Sequence, residues 1–416
     1  MNAAGIDVSS RKSTVAILRP FGEVVKLPFE VCHSAEDLSA LAQQLKSIEG
    51  ETRVVMEHTG RYYESIAKVL HEAGLYVSVV NPLLIKEYGA NSLRRVKTDK
   101  ADAMKIARYA LDNWADLRDY TPMDTIRYNL KTLNRQFQLA SKQRTASSNN
   151  LIALLEQSFP GIRKCFDSPV RSDGTQKWVD FAHAFWHVDC VRKQSLNAFS
   201  ERYRKWCKRH GYFFKQANAE EIYTLAKNAV VLVPKSDVTK VLIQEAANQL
   251  TSISRSVETY RTEMERLASM LPEYPVVMQM YGVGKSFGPQ LMAEIGDVRR
   301  FERKQALVAF AGIDPMPNQS GEKNIRSNKS SKRGSPYLRK TLFNIMSIYL
   351  KCAPQEEPIF QFLDRKRTEG KPYYVYMTAA GNKFLRRYYA QVRDYLATLE
   401  NLPPVDMEST GLQHTT

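Results

Sequence analysis

Ala3-Ala4-Gly5-Ile6-Asp7-Val8 is a short apolar run that delivers an acid at its end. Polar residues follow, and then Thr14-Val15-Ala16-Ile17-Leu18, which reads as a second strand after a turn. Arg53-Val54-Val55-Met56 repeats the device, because this β-branched run brings Glu57 to its end just before His58-Thr59-Gly60. Between and after these strands lie helical patterns at Leu38 to Ile48 and Tyr63 to Ala73, and a further strand, Tyr76-Val77-Ser78-Val79-Val80, closes at Asn81-Pro82. Strands alternating with helices indicate an α/β domain whose sheet is covered by helices.

A second acidic feature follows. In Val96-Lys97-Thr98-Asp99-Lys100-Ala101-Asp102-Ala103, Thr98 is placed to cap a helix that begins near Asp99 and runs through Met104 to Ala110. The i, i+3 spacing puts Asp99 and Asp102 on one helix face. A lone Asp at a helix start is usually just a cap. Two strand acids followed by a helical pair form an ordered set, however, and four convergent carboxylates raise one another's pKa unless a cation neutralises them. Magnesium suits such a set, being hard and satisfied by a few carboxylates with substrate phosphates and water. Two ions roughly 3.5 to 4 Å apart would clamp the attacking and leaving oxygens of a phosphoryl displacement.

Composition narrows the partner. The chain has 416 residues, enough for two or three domains, and 43 % of them are hydrophobic, enough for real cores. Sixty Lys and Arg against 44 Asp and Glu leave a net charge of +16, which favours a polyanion. No apolar stretch reaches membrane-spanning length and the N-terminus lacks a signal-peptide pattern, so a cytoplasmic location is expected. Cys32, Cys165, Cys190, Cys207 and Cys352 are scattered without a disulfide-scaffold pattern, which fits a reducing compartment. Nucleic acid suits this profile better than a membrane does.

From Asp124 the pattern turns helical. Ile243, Ala246, Leu250, Ile253, Val257, Tyr260, Met264, Leu267 and Leu271 recur at spacings of three and four, the signature of a coiled-coil seam. Its mate is either the earlier helix Leu130 to Leu155, folding back as an antiparallel hairpin, or another subunit. Between the two helices, Phe159 to Val233 is rich in aromatics, including Trp178, Phe181, Phe185, Trp186, Tyr203 and Trp206, interleaved with Arg202, Arg204, Lys205 and Lys208. These rings either stack on unpaired bases or build a small helical core, and the core is the favoured reading. His183, His187 and Cys190 share a helical spacing that admits a zinc site, although paired CxxC elements are missing.

Basic residues gather at two places. Ile85 to Lys97 reads as a surface loop in which Arg94, Arg95 and Lys97 precede the acidic pair and are placed to touch phosphates. Near the C-terminus, the polar loop Asn318-Gln319-Ser320-Gly321-Glu322-Lys323 leads into Arg326, Lys329, Lys332, Arg333, Arg339 and Lys340, a density of cations that suits a phosphate backbone. Upstream, Gly282-Val283-Gly284 before the helix Phe287 to Ile295 resembles the glycine turn of a helix-hairpin-helix. Ser320 has a small neighbour in Gly321, which leaves its hydroxyl accessible, but no histidine lies nearby in sequence to activate it.

Gly5-Ile6-Asp7, Glu57-His58-Thr59-Gly60, Val80-Asn81-Pro82 and Lys97 to Ala103, with Gly282-Val283-Gly284, Phe310-Ala311-Gly312, Ser320-Gly321 and Ser331-Lys332-Arg333-Gly334, together resemble the DEDD serine transposases of bacterial insertion sequences. These are the bridge-RNA-guided recombinases, related to the Piv-type DNA invertases. The resemblance implies an α/β plus α architecture: a RuvC-like domain of RNase H fold over 1–115 and a helical coiled-coil region over 116–272, with an aromatic and basic insertion near 159–233. A mainly helical transposase domain over 273–400 and a tail over 401–416 would complete it. It implies that Asp7, Glu57, Asp99 and Asp102 hold Mg²⁺, and that Ser320 is a nucleophile forming a transient phosphoserine link to DNA. In the family the acids and the serine come from different subunits of a tetramer, which supplies the activation that local sequence does not. Double-stranded DNA, a guide (bridge) RNA and further copies of the chain are the implied partners. Other readings are an invertase using the same residues without a guide RNA, a Holliday-junction nuclease in which water, not Ser320, attacks the phosphate and the C-terminal domain merely binds DNA, and a nucleic-acid-binding module with a degenerate site, which the intact quartet disfavours. The insertion near 159–233 is longer than the compact middle of typical members, and His58 stands where relatives often have a small residue.

Overall fold

The computed structural model describes residues 1–58, 60–88, 98–315, 319–320, 323–324 and 330–401. Its contacts divide the chain into two units, Met1–Met123 and Asp124–Thr416.

The first unit runs β1 (Asn2–Val8), β2 (Lys12–Leu18), β3 (Val24–Cys32), α1 (Ala35–Ser47), β4 (Thr52–Glu57), α2 (Tyr62–Glu72), β5 (Tyr76–Val80), α3 (Pro82–Tyr88) and α4 (Asp99–Asp112). The five strands form one sheet in the order β3-β2-β1-β4-β5. The first three pair antiparallel, and β4 and β5 join parallel to β1. This mixed order is that of the RNase H fold. Because strand side chains alternate between faces, Ala4, Ile6, Val54, Met56 and Val77 pack under one set of helices with Leu38, Leu45, Ile66 and Leu70. Ala3, Leu18 and Val55 pack on the opposite face with Ile85, Ile106 and Ala107. Each fully buried aliphatic side chain contributes about 1.5–3 kcal/mol, so this two-sided burial outweighs any local preference of the strands.

The edge strand β3 did not register in the sequence reading. Its VVKLPFEVC stretch lacks clean alternation and contains Pro28, which only an edge strand accommodates because no partner needs the missing N–H. Another difference concerns the basic loop expected from Ile85: the chain is helical from Pro82 to Tyr88, with Ile85 buried.

The second unit is helical: α5 (Thr125–Ser158), α6 (Lys177–Ala184), α7 (Asp189–Arg192), α8 (Leu196–Arg209), α9 (Gln216–Asn228), α10 (Asp237–Ser269), α11 (Tyr274–Met278), α12 (Gly284–Ile295) and α13 (Lys304–Ala311). A two-strand hairpin follows, β6 (Gln319–Ser320) and β7 (Lys323–Asn324), and then α14 (Pro336–Cys352), α15 (Pro358–Thr368) and α16 (Tyr373–Glu400). The seam on α10 is covered by α5 of the same chain. Leu151 and Leu155 share a core with Ile243 and Leu250, whereas Leu130 shares one with Met264 and Leu267, so the pair is antiparallel.

Each end of this hairpin carries a core. One end holds the insertion, where Phe159, Phe181, Phe185, Phe199 and Tyr203 are fully buried and their rings pack at 4.6 to 6.2 Å. The aromatics are therefore structural; Arg202 and Arg204 lie over ring faces from the outside. The zinc reading is corrected here. His183 and Cys190 belong to different helices, and buried His187 uses one ring nitrogen on the Val233 carbonyl (3.1 Å) while the other accepts from the Asp189 amide (3.1 Å). A histidine with both nitrogens engaged has no lone pair for a metal. The other end holds α11 to α16 around Leu291, Leu338, Ile345, Tyr349 and Phe384. Among the described residues no helix is long and apolar enough to cross a membrane.

Candidate active site

The acids of the first unit are placed by strand alternation and one close approach. Ala3 and Val55 face α4, so Gly5, Asp7 and Glu57, each an even number of residues further on, project to the same face. The parallel register pairs Gly5 with Val55 and Ile6 with Met56, which sets Asp7 beside Glu57 at the carboxyl ends of neighbouring strands. Helix α4 crosses β1 directly over Gly5: a Cβ there would lie 2.3 Å from the Ala103 carbonyl oxygen and 2.4 Å from the Ala107 nitrogen. Thr98 starts this helix as expected, its hydroxyl accepting from the Ala101 amide at 3.2 Å. Asp99 and Asp102 thus occupy the first turn, where the helix N-terminus favours negative charge.

The two strand acids feel their surroundings. Burial, then Asp102 and Asp99, push the Asp7 carboxyl up to about 6. Glu57 is raised by burial, then by Asp7 and Asp102, with Lys105 opposing. Among the described residues no trio of His, Cys, Asp or Glu closes around a common point. The donor set is all oxygen and suits a hard divalent ion. His58, exposed after Glu57, stacks on Tyr63 at 6.1 Å between ring centroids. Arg94, Arg95 and Lys97 lie outside the described residues.

In the second unit, Ser320 sits on the β6–β7 hairpin, its backbone paired with Lys323. Arg326 and Lys329 lie outside the described residues, as do the side chains of Ser320 and Lys323. The base of this loop is tightly built. Pro315 bridges to Ser330, the Ser331 hydroxyl donates to Asp314 at 2.5 Å, and the Ser335 amide donates to the Phe310 carbonyl at 2.7 Å. Gly334 is required here, because a Cβ would fall 2.0 Å from the Phe310 carbonyl oxygen. Arg339 donates to the carbonyls of Ala311 and Gly334 at 2.9 and 3.0 Å, so its guanidinium clamps the loop base in addition to its expected contact with phosphate. Lys332 adopts a left-handed backbone (φ 52), and Arg333 is exposed.

Sequence reading missed the polar cluster behind this loop. Glu294, 2 % exposed, accepts from Asn134 (2.7 Å), Arg135 (3.0 Å) and Ser335 (2.8 Å), tying α5 and α12 to the residue that caps α14. Ser335-Pro336 was the readable signal, a capping serine with proline at the first helical position. Glu294→Ala strands buried Asn134, half-buried Arg135 and the Ser335 hydroxyl. Urea unfolding should show a loss of about 1–3 kcal/mol.

An RNase H sheet carrying acids at the ends of β1 and β4 and at the start of a helix across them defines a RuvC-like class of enzymes that cut and rejoin nucleic acid strands. Two transposase models match this chain in order: one for the DEDD transposases of IS110 type on residues 4–160, and one for the transposase IS116/IS110/IS902 family on residues 274–360. The chain belongs to this family of DEDD transposases. It is 23 % identical over 344 residues to the pilin gene-inverting protein of Moraxella bovis, covering 82 % of this chain and 80 % of that one. It is 29 % identical over 120 residues to the transposase for insertion sequence element IS1111A of Coxiella burnetii, 29 % of this chain and 32 % of that one. Among solved structures, Thermus thermophilus RuvC matches with 16 % identity and a TM-score of 0.23, covering 29 % of this chain and all of RuvC.

Proposed function

We propose that this chain is the DNA recombinase of an insertion sequence and joins strands through Ser320. The observation that carries the reading is that burial and the neighbouring acids raise the carboxyls of Asp7 and Glu57, a cost that a bound divalent cation would relieve. These four residues would hold Mg²⁺, two ions in this reading, and the metal when bound supplies charge stabilisation at the attacked phosphate. Ser320 Oγ attacks phosphorus; the Oγ–P bond forms as the bond to one bridging oxygen breaks, and that oxygen leaves as a strand-end hydroxyl carrying a proton. A second strand end then attacks the phosphoserine, restoring the serine and completing the exchange. The basic residues from Lys323 to Arg339, together with Arg94, Arg95 and Lys97, hold the phosphate backbone. The family resemblance extends the reading to a bridge RNA guide and to a tetramer in which acids and serine come from different subunits.

A second reading, inversion at fixed sites without a guide, is favoured by the alignment with the pilin gene-inverting protein across most of both chains. Denaturing gels of protein incubated with labelled donor DNA separate serine attack from water attack. A covalent adduct with wild type and none with Ser320→Ala is the expected result; cleavage without an adduct in either would make the enzyme a nuclease. Sequencing of co-purified RNA decides between the guided and unguided forms, since a single defined species is expected only for the guided one.

A further inference from the structure

Helices α14, α15 and α16, with Pro315 and Lys332 from the loop base, enclose a groove of about 1260 Å³. That is larger than the ~300–1,000 Å³ of a small-molecule site. Lys332, Arg339, Lys340, Lys383 and Arg386 contribute to its wall, and among the described residues no Asp or Glu does. Several of these cations are held in place: Lys383 Nζ donates to the Pro358 carbonyl at 3.0 Å and Lys340 Nζ to Gln138 at 2.8 Å. Bare charge would suit any polyanion. The same wall also presents aromatic rings, Phe343, Phe362 and Tyr374. Tyr374 is 72 % exposed, 6.2 Å from the Phe343 ring, and Lys383 sits 4.9 Å over Phe362.

An exposed tyrosine beside a cationic track has a specific use. Base faces are hidden in a duplex, so open aromatic faces gain nothing from paired DNA and gain stacking from unpaired bases. We propose that this groove binds an unpaired stretch of nucleic acid, its phosphates on the lysine and arginine side and its bases against Tyr374 and Phe343. Asn344 and Asn382, also in the wall, can hydrogen-bond base edges. The inference rests on the proposed function only in taking nucleic acid as the substrate class; it assigns to this groove the strand that is not base-paired, whether RNA or DNA.

Fluorescence anisotropy on the full chain tests it, with an oligothymidylate of about 12 nucleotides and a duplex of the same length as probes. Tyr374 is exposed, so its replacement leaves the fold intact. Tyr374→Ala should weaken oligothymidylate binding about tenfold and duplex binding less than twofold, and Tyr374→Phe should restore it. Lys383→Gln combined with Arg386→Gln should lower the slope of log affinity against log salt on the oligothymidylate by about 1.4, roughly 0.7 for each lost phosphate contact. Unchanged oligothymidylate binding in these variants overturns the proposal. Equal losses on duplex and unpaired probes overturn it as well, since the groove would then be a charged surface alone. The Ser320-dependent adduct, measured on the same preparations, keeps the two readings apart: an adduct with unaltered probe binding rejects the groove and leaves the recombinase, and the reverse pattern does the opposite.

Discussion

Asp7→Asn is expected to abolish strand cleavage while making the metal-free protein more stable. The two effects have one cause. Asp7 is half-buried beside Glu57, Asp99 and Asp102, and its carboxyl is raised to about 6 from an ordinary value of 3.8. Between those two values the folded chain binds more protons than the unfolded one, so stability falls as pH rises from about 4 to about 6 and stays lower above that. With screening by water at a half-exposed site, the penalty at pH 8 is on the order of 1 kcal/mol. Asparagine keeps the shape and removes the charge, so thermal unfolding in EDTA at pH 8 should move upward, and its decline as pH rises from 4 to 6 should shrink to the part that Glu57, still raised by burial, contributes. Mg²⁺ should raise the midpoint of wild type at pH 8, raise it less at pH 5 where protons compete for Asp7, and leave Asp7→Asn unmoved. Cleavage in the same variant should fall by ~10²-fold or more, as expected when charge stabilisation at the attacked phosphate is lost. A variant that is less stable in EDTA than wild type would show that Asp7 is a structural cap and not one of a strained set.

What could be read in the sequence follows from where the information is local. The acids were legible because each closes a pattern with its own signal: β-branched runs before Asp7 and Glu57, and a capping Thr98 before the Asp99–Asp102 pair. The seam on α10 was legible for the same reason, but its mate was not. A heptad stripe specifies an apolar face and says nothing of what covers it, whereas α5 covers it here because the chain between them folds into its own aromatic core and returns. Strand β3 was hidden because it is an edge: with one neighbour it carries Pro28, Lys26 and Glu30 without breaking a ladder, and so loses the alternation that marks a strand. Glu294 and the groove residues Lys383, Arg386 and Tyr374 were hidden for a different reason. Their partners come from helices far apart in sequence, and an isolated Glu or Tyr in a helical stretch reads the same whether it is buried, exposed or facing a ligand.

Gly5→Ala should be the most damaging single methyl in the first unit. At most tight sites an added carbon pushes aside a flexible side chain. At Gly5 it meets the Ala103 carbonyl oxygen at 2.3 Å, the Ala107 nitrogen at 2.4 Å and the Ala107 Cα at 2.9 Å, all of them backbone of α4. The helix must therefore translate away from β1, and Ala103, Ala107 and Ala110, small residues that permit the close packing, would lose their contacts with the sheet. Overpacking of this kind costs about 1–3 kcal/mol, with more expected where only backbone can give way. The displacement also carries Asp99 and Asp102 away from Asp7 and Glu57, and a shift of about 1 Å at a reacting centre is worth ~10²-fold in rate. Circular dichroism should show a folded protein with a lowered melting temperature, and the Mg²⁺-induced rise of wild type should shrink because the helical pair no longer neighbours Asp7. Gly22→Ala is the control: Gly22 has a positive φ of 82°, which Gly5 does not, and nothing lies within 4 Å of the added carbon, so it should cost stability through backbone strain alone and leave the Mg²⁺ response intact. If Gly5→Ala kept the full Mg²⁺ response, the pairing of helix and strand would not be what sets the acids. The glycine would then matter to the fold and not to the chemistry.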